Sequence, residues 1–267
     1  MTAEAFYDDG EITLFCGEFQ SVEVVTGSVA AVVTSPPYNV GVDYIDSADA
    51  LAWPYYWSMA AEAAVLMATA LVEGGRAWVN TAVAVPEDLG RNKSVKARVM
   101  LPGRWAMALE IAGLTLVDQV AWCSARGAGT AWGSWCSPAA PNLRGDWESI
   151  LVACRDGWER MPPAGWEDWR DGVGNWQSLC STVWRLAPAP RDGSHPTPFP
   201  LELARRAIRL STWPSEAVLD PFAGSGTTLL AARQLGRRAI GVERCERYCY
   251  LAVRRLAQTS LDFEGAA

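Results

Sequence analysis

Two segments hold residue types whose spacing can do chemistry. Residues 217–243 read AVLDPFAGSGTTLLAARQLGRRAIGVE. A β-branched apolar run ends in Asp220, a glycine turn follows, a helical pattern starts at Thr227, and a second strand pattern ends in Glu243. This is the pattern of a βαβ nucleotide-binding unit. Its glycines let backbone approach a ligand, and a helix start offers unpaired N–H groups. No Gly-Lys-Ser/Thr follows the turn, so a phosphate-cradling Walker loop is excluded. Leu229 stands where the dinucleotide fingerprint needs a third small residue, which favours an adenosine without phosphates over a pyrophosphate. A βα turn that binds nothing is the plain alternative.

The second segment is Thr34-Ser35-Pro36-Pro37-Tyr38-Asn39, directly after the apolar run AAVVT. Consecutive prolines remove two donors and fix the backbone. Ser35 Oγ and the Pro36 carbonyl are then acceptors beside an aromatic ring, a set that suits an amino group on a planar base. A rigid strand exit with a packing tyrosine explains the same residues without function.

The elements that must position these segments follow from periodicity. Strands are expected at Ile12 to Cys16, Ala30 to Thr34, Arg76 to Asn80, Thr115 to Trp122, Ser149 to Ala153, Ala217 to Asp220 and Ala239 to Glu243. Helices are expected at Tyr55 to Leu71, closed by Gly74-Gly75, at Trp105 to Ala112, Pro200 to Leu210 and Thr227 to Leu235, and from Glu246 to Ala257. Strand and helix alternate, so the fold class is α/β with a mixed, mostly parallel sheet. Between Ser124 and Arg191 Gly, Pro, Ser and Trp dominate. Eight of the fourteen tryptophans lie from Trp132 to Trp184, which marks an inserted, irregular region.

Composition narrows the partners. A net charge of −7 argues against a surface that binds nucleic acid everywhere, but leaves room for a local basic cleft. The seven cysteines are irregularly spaced, and His195 is the one histidine, so no metal centre is expected. An acidic N-terminus without an apolar run and no stretch near 20 apolar residues lead to an expectation of a cytoplasmic protein off the membrane.

TSPPYN, then HPTPFP at residues 195–200, then DPFAGSGTT resembles the β-class of DNA amino-methyltransferases, in which the catalytic motif precedes the cofactor motif in circularly permuted order. The likeness spans nearly the whole chain. Cys16-Gly17-Glu18 resembles the Gly-Asp element of that class, with Glu for Asp. Leu71 to Asn80 and Val120-Ala121-Trp122 resemble its next sheet motifs. Asp146 to Leu151 resembles its His-Glu-x-Ile-Leu element, with Trp147 where His is usual.

The resemblance implies a Rossmann-like S-adenosylmethionine-dependent sheet in three parts. These are a catalytic half (1–125), a Trp/Gly-rich insert for target recognition (126–190) and a cofactor-binding half (191–267). Phe222, Ala223, Gly224 and Gly226 would line S-adenosylmethionine, Glu243 its ribose and Glu18 its adenine edge. Asp220, Thr227, His195 and Thr197, with Thr34, would surround the methionine portion. Ser35, Pro36, Pro37 and Tyr38 would be catalytic: Tyr38 stacks on a flipped base while Ser35 and the Pro36 carbonyl accept the amino hydrogens. Transfer would be direct, without metal or covalent enzyme intermediate. Ser at position 35 favours cytosine N4, with adenine N6 the alternative.

Double-stranded DNA would be met by Arg91, Lys93, Lys96, Arg98 and Arg104, or by Arg126, Arg144, Arg160 and Arg170 in the insert; solvated loop charges are the plain reading of both groups. Rival functions are an RNA or protein-amide methyltransferase and a non-catalytic DNA-binding regulator. Homodimers recur in the family, as do partners in restriction-modification.

Overall fold

The computed structural model describes residues 4–44, 47–87, 97–124, 139, 145–167, 169–172, 174–189 and 199–264; for 43, 44, 47, 48 and 259–264 only backbone is described. Among the described residues nine strands form one sheet: β1 (Tyr7–Asp8), β2 (Ile12–Cys16), β3 (Val29–Thr34), β4 (Leu71–Ala82), β5 (Leu114–Cys123), β6 (Trp147–Arg155), β7 (Val183–Arg185), β8 (Ala217–Asp220) and β9 (Arg238–Glu243). Their order is β1-β2-β9-β8-β3-β4-β6-β5-β7. Neighbours from β2 through β4 pair in parallel, as do β5 and β7, while β1–β2, β4–β6 and β6–β5 are antiparallel. The expected mixed, mostly parallel α/β sheet is the one observed.

Helices cover both faces, which is why β3 is buried at all six positions. On one face lie α1 (Trp53–Ala70) and α2 (Leu101–Ile111). Tyr56, Ala60, Ala63, Ala64, Met67 and Ala70 of α1 recur at helical spacing and are buried there. After the short α3 (Trp176–Leu179), the other face takes α4 (Leu201–Arg209), α5 (Thr227–Gln234) and α6 (Glu246–Glu264). From β3 the chain crosses through α1 to β4; from β8 it crosses through α5, on the opposite face, to β9. The boundary between β3 and β8 is therefore the switch point where an open α/β sheet has its ligand crevice. Among the described residues no helix is long and apolar enough to cross a membrane.

Three details differ from the expectations. The glycines Gly74 and Gly75 do not close α1. That helix stops at Ala70 and passes directly into β4, and both glycines lie inside the strand where pairing with β3 jumps from Val29–Leu71 to Ala31–Arg76. Space explains them: a Cβ on Gly75 would come within 2.8 Å of the Val72 carbonyl oxygen, and Gly74 has φ +69°. The last helix also runs on to Glu264 rather than ending near Ala257.

Finally, besides the expected strand at Ser149 to Ala153, which is β6, a second stretch inside 126–190 joins the central sheet as β7. Trp184 of β7 is buried in the main core, stacked on Trp78 at 5.7 Å between ring centres. Its indole N–H donates to the Leu179 carbonyl at 3.1 Å, the partner a buried tryptophan needs.

Because β6 is antiparallel to β4, it carries the chain from the edge holding the strand ends Thr34, Ala82, Asp220 and Glu243 to the opposite edge. The residues after it are clamped there. Arg160 pairs with Glu216 and donates to the Ser211 carbonyl at 2.8 Å. The Arg76 guanidinium lies 4.2 Å from the Trp158 ring, and Arg237 lies 5.4 Å from the Trp169 ring.

Candidate active site

Ser35 leaves β3 at the switch point, and three other side chains converge on it. Ser35 Oγ is 3.1 Å from the Tyr38 hydroxyl, which donates to Glu148 Oε2 at 2.7 Å. Asn80 Nδ2 donates to the Tyr38 oxygen at 2.7 Å and to Glu148 Oε2 at 3.0 Å, and lies 3.4 Å from Ser35 Oγ. Asn80 is near the end of β4, and Glu148 near the start of its antiparallel neighbour β6, in register with Ala82. Neither residue is among the expected site residues. The Asp146 to Leu151 element contains Glu148, but only the strand register brings it to a tyrosine 110 positions away.

The loop after the proline pair is fixed from outside. Asp49 accepts from the Asn39 N–H at 2.8 Å and the Val40 N–H at 3.1 Å. Burial pushes the Asp49 carboxyl above its usual range, against those stabilising bonds. Asn39 itself has φ +58°, a left-handed conformation that asparagine tolerates, and its side chain exchanges two bonds with the Leu51 backbone. On the other side the fully buried Tyr56 donates its hydroxyl proton to the Pro37 carbonyl at 2.7 Å and accepts from the Trp105 indole at 3.1 Å. We expect Tyr56→Phe to cost about 1–3 kcal/mol, since a buried indole donor and carbonyl lose their partner. Denaturant melts check the stability, and methyl incorporation should fall with it as Pro37 loosens. A variant as stable and as active as the parent would show that the anchor is dispensable.

The second half of the crevice is the loop after β8. Thr34 Oγ1 donates to Asp220 Oδ1 at 2.7 Å, so the ends of the two central strands are tied together. The Phe222 N–H donates to the same oxygen at 3.1 Å, while Asp220 Oδ2 is buried without a partner. Burial raises the Asp220 pKa to about 6. At the end of β9 the Glu243 carboxylate accepts from the Gly224 N–H and the Cys245 N–H, both at 2.8 Å. Two backbone donors orient this acid and leave further lone pairs for ligand hydroxyls. Burial raises its pKa as well.

Gly224 and Gly226 take φ +52° and +78°. A Cβ on Gly226 would lie 2.8 Å from the Ala252 Cβ of α6, and one on Gly241 would lie 2.8 Å from Leu229 Cδ1. The cradle, the oriented acid and the orphaned Asp220 oxygen fit an adenosine-bearing cofactor with cationic groups.

The remaining expected residues fall into three groups. Ala223 is buried, and the half-buried Phe222 ring meets Phe19 edge-on at 5.3 Å. Glu18 is exposed, 3.8 Å from Arg244. Thr227 is buried and its Oγ1 accepts from Arg255 at 3.2 Å, whereas its neighbour Thr228 donates to the Val33 carbonyl at 3.1 Å beside the crevice. Among the basic residues, Arg98 is exposed in a short hairpin pairing with Val85–Pro86, and Arg104 is exposed on α2 with its guanidinium 5.3 Å from the Trp57 ring. Both belong to the crevice edge. Arg160 sits at the opposite edge in the clamp, and Arg170 donates to the Glu167 and Trp169 carbonyls in its own segment. His195, Thr197, Arg91, Lys93, Lys96, Arg126 and Arg144 lie outside the described residues.

Comparison with known proteins places this arrangement. The family model described as DNA methylase, of the N6/N4 methyltransferases, matches residues 29–254. The Type II methyltransferase M.Cfr9I of Citrobacter freundii is 28% identical over 91% of this chain and 87% of its own length. M.ScaI of Streptomyces caespitosus is 27% identical over 94% and 83%. Among solved structures, TTHA0409 of Thermus thermophilus complexed with S-adenosyl-L-methionine superposes with a TM-score of 0.72, at 29% identity over 92% of this chain and 93% of that one. The cytosine-N4-specific PvuII DNA methyltransferase superposes at 0.73 over 95% and 89%; at 18% identity it bears on the fold alone. The chain belongs to the N6/N4 DNA methylase family and is an S-adenosylmethionine-dependent DNA amino-methyltransferase.

Proposed function

We propose that the acceptor is the exocyclic amino nitrogen of a base flipped out of duplex DNA, cytosine N4 in the first place and adenine N6 as the alternative. The observation that carries this reading is the meeting of Ser35, Tyr38, Asn80 and Glu148 at the strand end that Thr34 ties to Asp220. S-adenosylmethionine supplies the methyl group. Glu243 accepts from its ribose hydroxyls, and Asp220 faces its cationic methionine portion.

Ser35 and the Pro36 carbonyl accept the two amino hydrogens and so aim the nitrogen lone pair. That pair is delocalised into the ring, so its reactivity comes from positioning and directed hydrogen bonds. The Tyr38 ring stacks on the base; such stacking is worth roughly 1–3 kcal/mol and helps offset the few kcal/mol of unstacking. What favours cytosine is the family resemblance of serine at position 35; both bases present an amino group beside a ring nitrogen to these acceptors.

Residues 1–125 present the base, and 191–267 hold the cofactor. Within 126–190 the work divides. The stretch carrying Trp158, Arg160 and Trp169 is clamped at the far edge. Target recognition therefore falls to the segment between Ser124 and Asp146, whose backbone ends meet at 3.3 Å on the crevice edge, where β7 also returns the chain with Arg185 level with Cys123. Arg98 and Arg104 would meet phosphates on the same edge.

The test is mass-spectrometric nucleoside analysis of DNA from cells expressing the chain, beside a Ser35→Ala control. N4-methylcytosine or N6-methyladenine found only with the intact chain supports the reading and identifies the base. If neither appears while purified protein still binds S-adenosylmethionine, the acceptor is not a DNA amino group.

A further inference from the structure

We propose that Glu148 takes up the proton released when the amino nitrogen is methylated, by way of Ser35 Oγ and the Tyr38 hydroxyl. This rests on the amino-methylation reading above. A hydroxyl has one proton to give. The Tyr38 proton is directed at Glu148 Oε2 at 2.7 Å, so the tyrosine oxygen accepts from Ser35 at 3.1 Å. The Ser35 oxygen is thereby left with lone pairs for an N–H of the substrate. The chain of bonds points one way, from Ser35 to Glu148. Asn80 donates to both the tyrosine oxygen and the carboxylate, at 2.7 and 3.0 Å, and holds the path without interrupting it.

Chemistry selects the terminus. An amide cannot keep a proton near neutral pH; serine and tyrosine hydroxyls can only pass one on. Within this cluster the Glu148 carboxylate alone can store it. Glu148 is half-buried at the crevice edge, where water can reclaim the proton between turnovers.

The step balances. The nitrogen lone pair forms the N–C bond as the donor S–C bond breaks and leaves its electron pair on sulfur, so the positive charge moves to nitrogen. An N–H bond breaks as that charge develops, within the step whose rate is the rate of transfer. Its proton goes to Ser35 Oγ, the Ser35 proton to the Tyr38 oxygen, and the Tyr38 proton to Glu148 Oε2. The products are a neutral methylated amine and a protonated Glu148, with serine and tyrosine regenerated.

The experiment is single-turnover methylation of unmethylated bacterial genomic DNA with tritiated S-adenosylmethionine and enzyme in excess over sites. Glu148→Gln keeps shape and an acceptor oxygen but cannot store the proton. We expect it to slow transfer about 100-fold, with S-adenosylmethionine affinity changed by less than about twofold. Tyr38→Phe keeps the stacking ring and cuts the path, so it should slow transfer similarly, and the double variant should be no slower than either single one. Any slowing of the parent enzyme in heavy water should disappear in both.

Glu148→Gln within about threefold of the parent rate overturns the proposal. So do losses that multiply in the double variant, or a loss that follows cofactor affinity instead of the transfer rate. If Glu148→Gln fails to fold, Tyr38→Phe at the parent rate is sufficient to overturn it. A parent enzyme that methylates no DNA base removes the underlying reading, an outcome distinct from an active parent with an active Glu148→Gln.

Discussion

Gly226→Ala is expected to destabilise the protein by about 2–5 kcal/mol and to abolish measurable S-adenosylmethionine binding. Two independent costs meet at this position. Its φ of +78° is left-handed, which costs a residue with a Cβ roughly 1–2 kcal/mol. The added methyl would also lie 2.8 Å from the Ala252 Cβ, and overpacking of that kind costs about 1–3 kcal/mol. Relief requires the loop to move away from α6, and that movement takes the Gly224 N–H off Glu243. Gly236→Ala is the matched control. It has φ +68° but nothing within 4 Å of an added Cβ, so it should show the conformational cost alone with binding intact. Denaturant melts and calorimetric titration with S-adenosylmethionine read both effects. A Gly226→Ala protein that melts like the control and binds normally would show that the cradle is looser than its contacts imply.

The second expectation concerns pH and Asp220. Its carboxyl is fully buried with one oxygen unpartnered, and its pKa is raised to about 6 from the ordinary 3.8. At pH below about 4 the group is protonated both folded and unfolded, and its burial carries no ionisation penalty. As pH rises through 4 to 6 the unfolded chain ionises first. Folding stability therefore falls, by about 3 kcal/mol in all, and is level above 6. Asp220→Asn removes this slope. Its stability should differ from the parent by an amount that changes between pH 4 and 6 and is constant above.

The same carboxylate should couple to the cofactor. A cationic sulfonium and ammonium favour the ionised form, so parent affinity for S-adenosylmethionine should drop as pH is lowered through 6, by up to about tenfold per unit. The asparagine variant should lack that dependence. Parallel pH profiles for the two proteins, in stability and in affinity, would mean Asp220 neither titrates there nor senses the cofactor.

What the sequence makes legible here is whatever is local. The run AAVVT declares a strand buried on both faces, because it is apolar up to its last residue and three of its five residues are β-branched. The loop from Asp220 to Thr227 declares a βα turn because glycine is needed at its left-handed positions. Glu243 is legible by its fixed distance from that turn. The partners of Ser35 are not local. Asn80 and Glu148 lie in segments that resemble family motifs, but their meeting with Tyr38 is set by the pairing of β4 with β6, a register fixed by whole-strand packing that neither residue signals by itself. Tyr56 likewise reads as one more apolar position of α1, and only the path of the loop after Pro37 gives its hydroxyl a partner.

Gly74-Gly75 misleads for the opposite reason. Paired glycines ordinarily end a helix, but here close backbone approach inside a strand requires them. Arg160 and Arg170 share the composition of a nucleic-acid contact, yet an antiparallel strand delivers them to the edge away from the crevice.

The bond between Thr34 and Asp220 spans 186 positions, and the strands it joins are neighbours at the middle of the sheet. During synthesis at roughly 5–20 residues per second, β3 waits about 10–40 s for that neighbour. Through this interval an apolar strand keeps an unpaired edge, open to wrong pairing with another chain. The catalytic crevice cannot close until nearly all of the protein has been made. The nascent chain is thus inert as an enzyme while it is most exposed to aggregation, and slow, non-local closure of the central pair should govern how much active protein a cell recovers.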